Sequence, residues 1–300
     1  MTESKPAASP PDLGVVDPMR IPGGAAARRA WEGLPNLARV FIVLAAADVV
    51  VRAFGLLDTN LGLLLGSPLT WFTAFFPHDA LILLPALLVI RRPHALDSTP
   101  LVVRGAVLVA LVQALDGPLR GLVSGGRVDP VLLPTVVSIL GILLTAGGWW
   151  WMAQGMRWLN PVRPAETYAG LANLVGGGIA FAALVNLGLV LSRPAADVGN
   201  PTWTALLQLD SALFVVPSLA FAYLARVVVL GTGDPSRPTA ATYRATASLT
   251  LFAIGSVLLL AVGAGAIWVV IGFVTGPVAM TGFVVAFGLG LADPSGTIEA

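Results

Sequence analysis

Long apolar runs joined by short polar connections make up most of this 300-residue chain. A helix needs roughly 20 apolar residues to cross a bilayer core of about 30 Å. Counting runs of that length predicts about eight spans. Their approximate bounds are 38–57, 71–91, 101–122, 131–153, 167–191 and 203–226, with two more sharing Ala245–Ala292. The last stretch carries no charge and is too long for one helix, so Gly276-Pro277 predicts a break near Val274–Pro277.

Composition supports a membrane protein. Hydrophobic residues make up 56% of the chain and charged residues only 11%, against about 25% charged in soluble domains. The mean hydropathy is +0.86. Because so few charges cannot cover a water-exposed surface, the predicted fold is an all-α polytopic transmembrane helix bundle.

Three segments follow from the distribution of prolines and apolar runs. Residues 1–36 contain repeated prolines and no long apolar run, which predicts a disordered cytoplasmic tail. Residues 37–293 form a single transmembrane helical domain, and 294–300 a short cytoplasmic tail. Within the first tail, Ala25–Glu32 has the alternative of forming a short interfacial helix. Residues 61–69 are apolar but short, and predict an interfacial or re-entrant segment.

Orientation follows from the arginines, because cytoplasmic loops carry an excess of basic residues. Both termini are predicted to be cytoplasmic, since that orientation puts most arginines inside. The inner set is Arg28, Arg29, Arg39, Arg91, Arg92, Arg104, Arg157, Arg163, Arg226, Arg237 and Arg244, and the outer set is Arg52, Arg120, Arg127 and Arg193. Lys5 is the single lysine among 17 basic residues. With abundant Ala, Gly and Val, this indicates a GC-rich bacterial genome, and so a multi-pass protein of the bacterial plasma membrane.

Six ionisable residues fall inside the predicted spans, where each costs several kcal/mol unless it finds a partner or water. Placed by depth at 1.5 Å per residue, they share one layer in the outer half of the membrane, flanked by Gln113 and Gln208. These candidate binding residues are Asp48, Arg52, His78, Asp79, Asp116 and Asp210.

Pairing within this layer can be read from spacing. Asp48 and Arg52 are four residues apart with the acid first, which is the better order for a helix pair. Asp116 and Arg120 repeat that spacing. Acids still outnumber bases, so at least one carboxylate is expected to be protonated or neutralised by a cation. We predict that this is Asp210, which has no arginine on its own helix.

Most cofactor chemistry is excluded by composition. Cysteine is absent, which removes disulfides, thiolate nucleophiles and Fe–S clusters. His78 and His94 lie about 24 Å apart along a helix, too far to share a haem or a metal. His78-Asp79 with Asp116 or Asp210 is too small a ligand set to predict a metal. We therefore predict no catalytic residues, no cofactor and no metal, and the net charge of +1 gives no reason to expect nucleic-acid binding.

Glycines are frequent within the predicted spans. They predict close helix packing inside the bundle rather than a dimerisation face. The glycines of spans five and eight that carry this prediction are Gly176, Gly177, Gly178, Gly282, Gly288 and Gly290.

Three function classes remain open. The first is a permease or transporter-like protein with an outward-facing acidic site for a cation, a proton or a small polar solute. The second is an accessory or scaffold subunit of a membrane complex, whose charges pair internally. The third is a membrane enzyme acting on a lipid-linked substrate at the outer leaflet. The expected partners are the lipid bilayer and, for the second class, other membrane subunits.

Overall fold

The computed structural model describes residues 24–59, 68–90, 100–124, 132–159, 166–192, 201–232, 240–261 and 266–290. Within these ranges the chain forms α-helices and a short 3-10 turn, and no strand, so the all-α class is confirmed. The α-helices are α1 (Gly24–Glu32), α2 (Asn36–Thr59), α3 (Pro68–Ile90), α4 (Pro100–Ser124), α5 (Leu132–Leu159), α6 (Glu166–Ser192), α7 (Pro201–Leu213), α8 (Val215–Thr232), α9 (Ala240–Leu258) and α10 (Ala266–Gly290). The predictions for residues 61–67 and 294–300 lie outside the described ranges, whereas Pro68 and Leu69 begin α3.

The chain divides into two compact units, Met1–Leu34 and Pro35–Ala300. In the first unit, α1 coincides with the alternative helix expected at Ala25–Glu32. An exposed ion pair joins Arg28 Nε to Glu32 Oε1 at 2.7 Å. The Gly33 amide donates to the Arg29 carbonyl at 3.1 Å, which closes the helix.

Three described segments are long and apolar enough to cross a bilayer: 132–156, 166–192 and 201–232. They coincide with the fourth, fifth and sixth predicted spans. Two shorter apolar stretches, Pro77–Ile90 and Thr275–Gly288, add to them. The full count of eight, the positions of both termini and the three-segment division remain predictions.

The predicted break at Val274–Pro277 is wrong. Helix α10 continues through Pro277, because helices in a bilayer tolerate proline where neighbouring groups re-satisfy the freed backbone. The chain instead leaves α9 at Leu258 and enters a 3-10 turn, Leu259–Ala261. The sequence just beyond holds Gly263 and Gly265, and each glycine costs about 1 kcal/mol inside a helix.

The sixth predicted span is two helices rather than one, since Phe214 is a turn between α7 and α8. Pro217 explains the interruption. It has no N–H to donate to the Leu213 carbonyl four residues earlier, and its ring clashes with that carbonyl.

The larger hydrophobic core is centred on Phe221 of α8. Its ring packs edge-on against Trp149, Phe252 and Phe283, with centroids 5.0, 5.3 and 5.7 Å away. Because these aromatic partners come from α5, α9 and α10, the cluster ties together four helices.

Four of the six glycines expected to allow close packing do so. A Cβ at Gly176 would lie 3.0 Å from the Ala222 carbonyl oxygen. Those at Gly282, Gly288 and Gly290 would lie 2.8–2.9 Å from the nearest side-chain atoms of Ser248, Leu87 and Ala241. Gly177 faces open space, and a Cβ at Gly178 would make ordinary contacts.

Candidate functional site

Helices α2, α3 and α4 pack together around a second, smaller core. On α2 this core is built by Ala38, Phe41 and Ala45, whose spacing of three and four residues places them on one helix face. The same spacing continues to Asp48 and Arg52. One stripe therefore begins apolar and ends charged, and it faces the neighbouring helices along its length.

The Asp48–Arg52 pair is present. Arg52 Nε donates to Asp48 Oδ2 at 2.6 Å. The Asp48 side chain is fully buried, whereas the Arg52 side chain keeps 19% of its surface exposed. Asp48 is the one charged residue that is buried among the described residues.

His78 of α3 joins this pair. Arg52 Nη2 lies 3.2 Å from His78 Nδ1. Because a guanidinium can only donate, Nδ1 must accept, so the ring is neutral and carries its proton on Nε2. The Gln113 side chain of α4 also interacts with His78. Groups from α2 and α4 therefore both lie next to the histidine.

Helix geometry explains why these groups meet. Asp48 and His78 each lie about 18 Å along their helices from Asn36 and Ile90 respectively, and Gln113 lies about 20 Å from Pro100. Similar distances from neighbouring helix ends put the three side chains in one layer.

Two further acids interact electrostatically with these residues. Asp79 interacts with Asp48 and Arg52, and Asp116 interacts with His78. One carboxylate oxygen of Asp48 and one of Asp79, both Oδ1, are buried and have no hydrogen-bond partner among the described residues. We call Asp48, Arg52, His78 and Asp79 the charged cluster.

Asp210 is placed differently. It lies on α7, which packs mainly against α5 and α6, whereas the charged cluster is built on α2 and α3. Its Oδ1 atom is also buried without a hydrogen-bond partner in the described part of the chain. The structure therefore brings five of the six candidate residues into one neighbourhood and puts Asp210 on another part of the bundle.

The structure gives no side-chain description for Arg120, Arg127 and His94. In the described ranges, no group of three or more His, Asp or Glu side chains is arranged to hold a metal ion.

The structure also contains a cavity of about 320 Å³ that the charge pattern does not predict. It lies between α5, α6, α8, α9 and α10, and its walls combine aromatic and polar side chains. These aromatic and polar side chains are Trp149, Asn186, Ser218, Phe221, Phe252 and Ser256. Pro217 lines it too, but prolines also lie inside the continuous helices α3, α4 and α10, so the sequence alone does not predict this cavity.

No protein-family model, curated protein or solved structure matches this chain. The described residues form an all-helical protein with three segments long and apolar enough to cross a membrane, and the site adds a buried charged cluster.

Proposed function

We propose that this protein is a permease-like membrane protein whose charged cluster takes up a proton or a monovalent cation from the outer aqueous phase. The observation that carries the proposal is the Asp48 carboxylate. It is fully buried and paired through one oxygen only, while its other oxygen has no hydrogen-bond partner among the described residues.

Charge counting supports uptake of one positive charge. Asp48 and Asp79 contribute two negative charges and Arg52 one positive charge, while His78 is neutral. A net negative charge in this setting is costly unless a proton or a cation compensates it.

The electrostatic interaction between the two acids favours a proton. Asp48 and Asp79 interact electrostatically, and each has one unpaired buried oxygen. Two interacting carboxylates that share one proton are a recurrent way to avoid two like charges in one site. A cation held by the same two oxygens would serve the same electrostatic role.

Infrared spectroscopy tests the proton directly. We expect the protein in lipid nanodiscs to show a carboxylic acid C=O band that appears on acidification and shifts in D₂O. Asp79→Asn is expected to remove this band, because the partner that shares the proton is lost.

Asp210→Asn is the matched control: the Asp210 carboxylate lies on α7 and can give a band of its own, so this variant is expected to leave the band of the charged cluster in place. Absence of a titrating band from the wild type, or a band unchanged in both Asp48→Asn and Asp79→Asn, would refute proton uptake by the cluster. Loss of the band on addition of Na⁺ or K⁺ would show that this metal cation replaces the proton in the charged cluster.

A transport assay tests the permease-like role. Proteoliposomes that enclose a pH-sensitive dye are expected to acidify faster than empty liposomes after an external acid step. Asp79→Asn is expected to reduce this rate to that of empty liposomes. Equal rates for wild type and empty liposomes, at confirmed insertion, would contradict a proton-carrying role.

Asp210 favours a second candidate function, that of an accessory subunit in a membrane complex. Helix α7 has no buried residues, and Leu209 and Phe214 are about half exposed. A partner helix with an arginine or lysine at this depth would compensate the carboxylate. Native mass spectrometry of the protein extracted from its own membrane tests this: Asp210→Asn should release the partner, whereas Ser211→Ala should retain it.

A further inference from the structure

We propose that the exposed guanidinium of Arg226, at the contact between α6 and α8, binds the phosphate of an anionic phospholipid headgroup. The site is built on α5, α6 and α8, which all lie in the segments long and apolar enough to cross a membrane. This inference goes beyond the proposed function, because the charged cluster lies on other helices. A lipid-binding measurement tests it whether or not the cluster takes up protons.

Two contacts with α6 fix the position of Arg226. Its Nε donates to Asn173 Oδ1 at 2.9 Å. Its Cβ lies 3.0 Å from the position that a Cβ on Gly176 would occupy, so the missing side chain of this glycine lets the stem of the arginine lie against α6. Asn173 and Gly176 are one helical turn apart and share a face of α6. The guanidinium is therefore held in place rather than free to move over the surface.

The positive charge of Arg226 is exposed and is not compensated within the described ranges, where no ion pair joins it to a carboxylate. Helices α5 and α8 contain no acid, and the single acid of α6, Glu166, lies about 10 Å along the helix from Asn173. Asn173 is neutral and accepts from Nε alone. The two terminal nitrogens remain as a planar fork of donors, which matches two oxygens of a phosphate.

The depth of the site matches the edge of a membrane. Helix α6 has 27 residues and is therefore about 40 Å long, against a hydrocarbon core of about 30 Å. Asn173 lies about 10 Å from the start of α6, and Arg226 about 9 Å from the end of α8. An arginine side chain near a helix end reaches the interface, where the phosphates of lipid headgroups lie.

Aromatic and apolar side chains beside Arg226 provide a surface for the rest of the lipid. Tyr223 is one turn before Arg226 on the same face of α8. Its ring stacks on that of Trp150 from α5, with centroids 5.2 Å apart, and Trp150 is 49% exposed. Trp and Tyr are enriched at the level of the headgroups. Leu219, one turn further from the end of α8, is also exposed and would contact an acyl chain.

Compensation of the charge selects an anionic headgroup. A zwitterionic phospholipid brings an ammonium group together with its phosphate, so it adds no net negative charge to the site. Phosphatidylglycerol carries a net negative charge, which offsets that of Arg226. Free phosphate offers the same oxygens but has no acyl chain to bury apolar surface against Trp150 and Leu219.

Native mass spectrometry tests the proposal, with full-length protein delipidated in detergent and titrated with one lipid at a time. Phosphatidylglycerol is expected to bind at least about tenfold more tightly than phosphatidylcholine with the same acyl chains. Arg226→Gln is expected to remove this preference, because it loses the charge and keeps an N–H donor for Asn173. Arg104→Gln is the matched control: it removes an exposed arginine from α4, which packs against α2, α3 and α5, and the preference should remain.

A second variant supplies the missing negative charge within the protein. Asn173→Asp places a carboxylate where the amide oxygen now accepts from Arg226, so it is expected to lower the affinity for phosphatidylglycerol to that for phosphatidylcholine. Asn186→Asp is its control, since it adds the same charge to the same helix about 20 Å away and should leave the preference intact.

Equal affinity of the wild type for the two lipids would overturn the inference. So would a preference that survives both Arg226→Gln and Asn173→Asp, or one that Arg104→Gln lowers equally. Displacement of phosphatidylglycerol by inorganic phosphate would contradict a lipid site and assign the arginine to free phosphate. Asp79→Asn is expected to leave lipid binding intact, so failure of this site and failure of the charged cluster are separable.

Discussion

The α2–α4 region and the α5–α10 region accommodate polar groups in different ways. The first buries a full charge, Asp48, and compensates it with side chains from neighbouring turns and helices. The second surrounds its cavity with aromatic rings and neutral polar side chains, and the described lining contains no ionisable side chain. The contrast teaches that one region compensates a buried charge with an ion pair, whereas the cavity of the other is lined by neutral polar groups.

Small residues fill the core of the first region and also its contact with the second region. The α2–α4 core is filled mainly by small and β-branched side chains such as Ala38, Ala45 and Val89. At the α4–α5 contact, glycines bring the backbones together, and a Cβ on Gly148 would lie 2.9 Å from the Gly105 carbonyl oxygen. Packing there leaves little room for substitution.

The largest effect is expected from breaking the ion pair. Arg52→Leu leaves the buried Asp48 carboxylate without its guanidinium, and loss of one partner from a buried pair costs about 3–5 kcal/mol. Unfolding in a mixed-detergent titration would measure this loss.

The double variant Asp48→Leu with Arg52→Leu provides the control, because removing both charges leaves no unpaired ion. We expect it to recover most of the lost stability. A double variant as unstable as Arg52→Leu would show that the pair acts through packing rather than charge.

A smaller loss is expected at the α4–α5 contact. Gly148→Ala places a Cβ 2.6 Å from Val109 Cγ2, and such overpacking typically costs about 1–3 kcal/mol. Gly177→Ala is the control, since its Cβ meets nothing within 4 Å and alanine favours the helix by up to about 1 kcal/mol. If both variants unfolded at the same detergent fraction, the close approach of α4 and α5 would be disproved.

The smallest change in stability is expected at the α7–α8 interruption. Pro217→Ala returns an N–H that can reach the Leu213 carbonyl, and one such hydrogen bond contributes about 0.5–1.5 kcal/mol. We expect a modest gain in the free energy of unfolding, measured in the same mixed-detergent titration. A Pro217→Ala variant no more stable than the wild type would contradict this explanation of the interruption.

The sequence was most informative where charge interrupts apolar runs. Placing Asp48, Arg52 and His78 by depth predicted a shared layer, and Arg52 contacts both of the others in the structure. The same reasoning grouped Asp210 with them. Depth along a helix does not say which helices are neighbours, and α7 packs elsewhere.

Helix interruptions were harder to predict. Proline lies inside α3, α4 and α10 without ending them, whereas Pro217 separates α7 from α8. The outcome depends on which neighbouring groups can satisfy the freed carbonyl, and this is a property of the packed bundle. By contrast, Gly141, Gly148 and Gly155 recur every seven residues in the sequence, which indicates a glycine-lined contact face on α5.

The central claim is that the charged cluster takes up a proton or a monovalent cation from the outer aqueous phase. Measuring whether water-soluble reagents reach the cluster from outside tests this claim most directly. The chain contains no cysteine, so Gln113→Cys introduces a unique thiol beside His78, and Leu115→Cys introduces one at an exposed position on the same helix. Both are treated with a membrane-impermeant methanethiosulfonate added to the outer side of intact proteoliposomes with known orientation. Proton or cation uptake from outside predicts fast modification of Gln113→Cys and slow modification of the lipid-facing Leu115→Cys. Protection of Gln113→Cys from the outer reagent, with modification only from the inner side or not at all, would contradict the account.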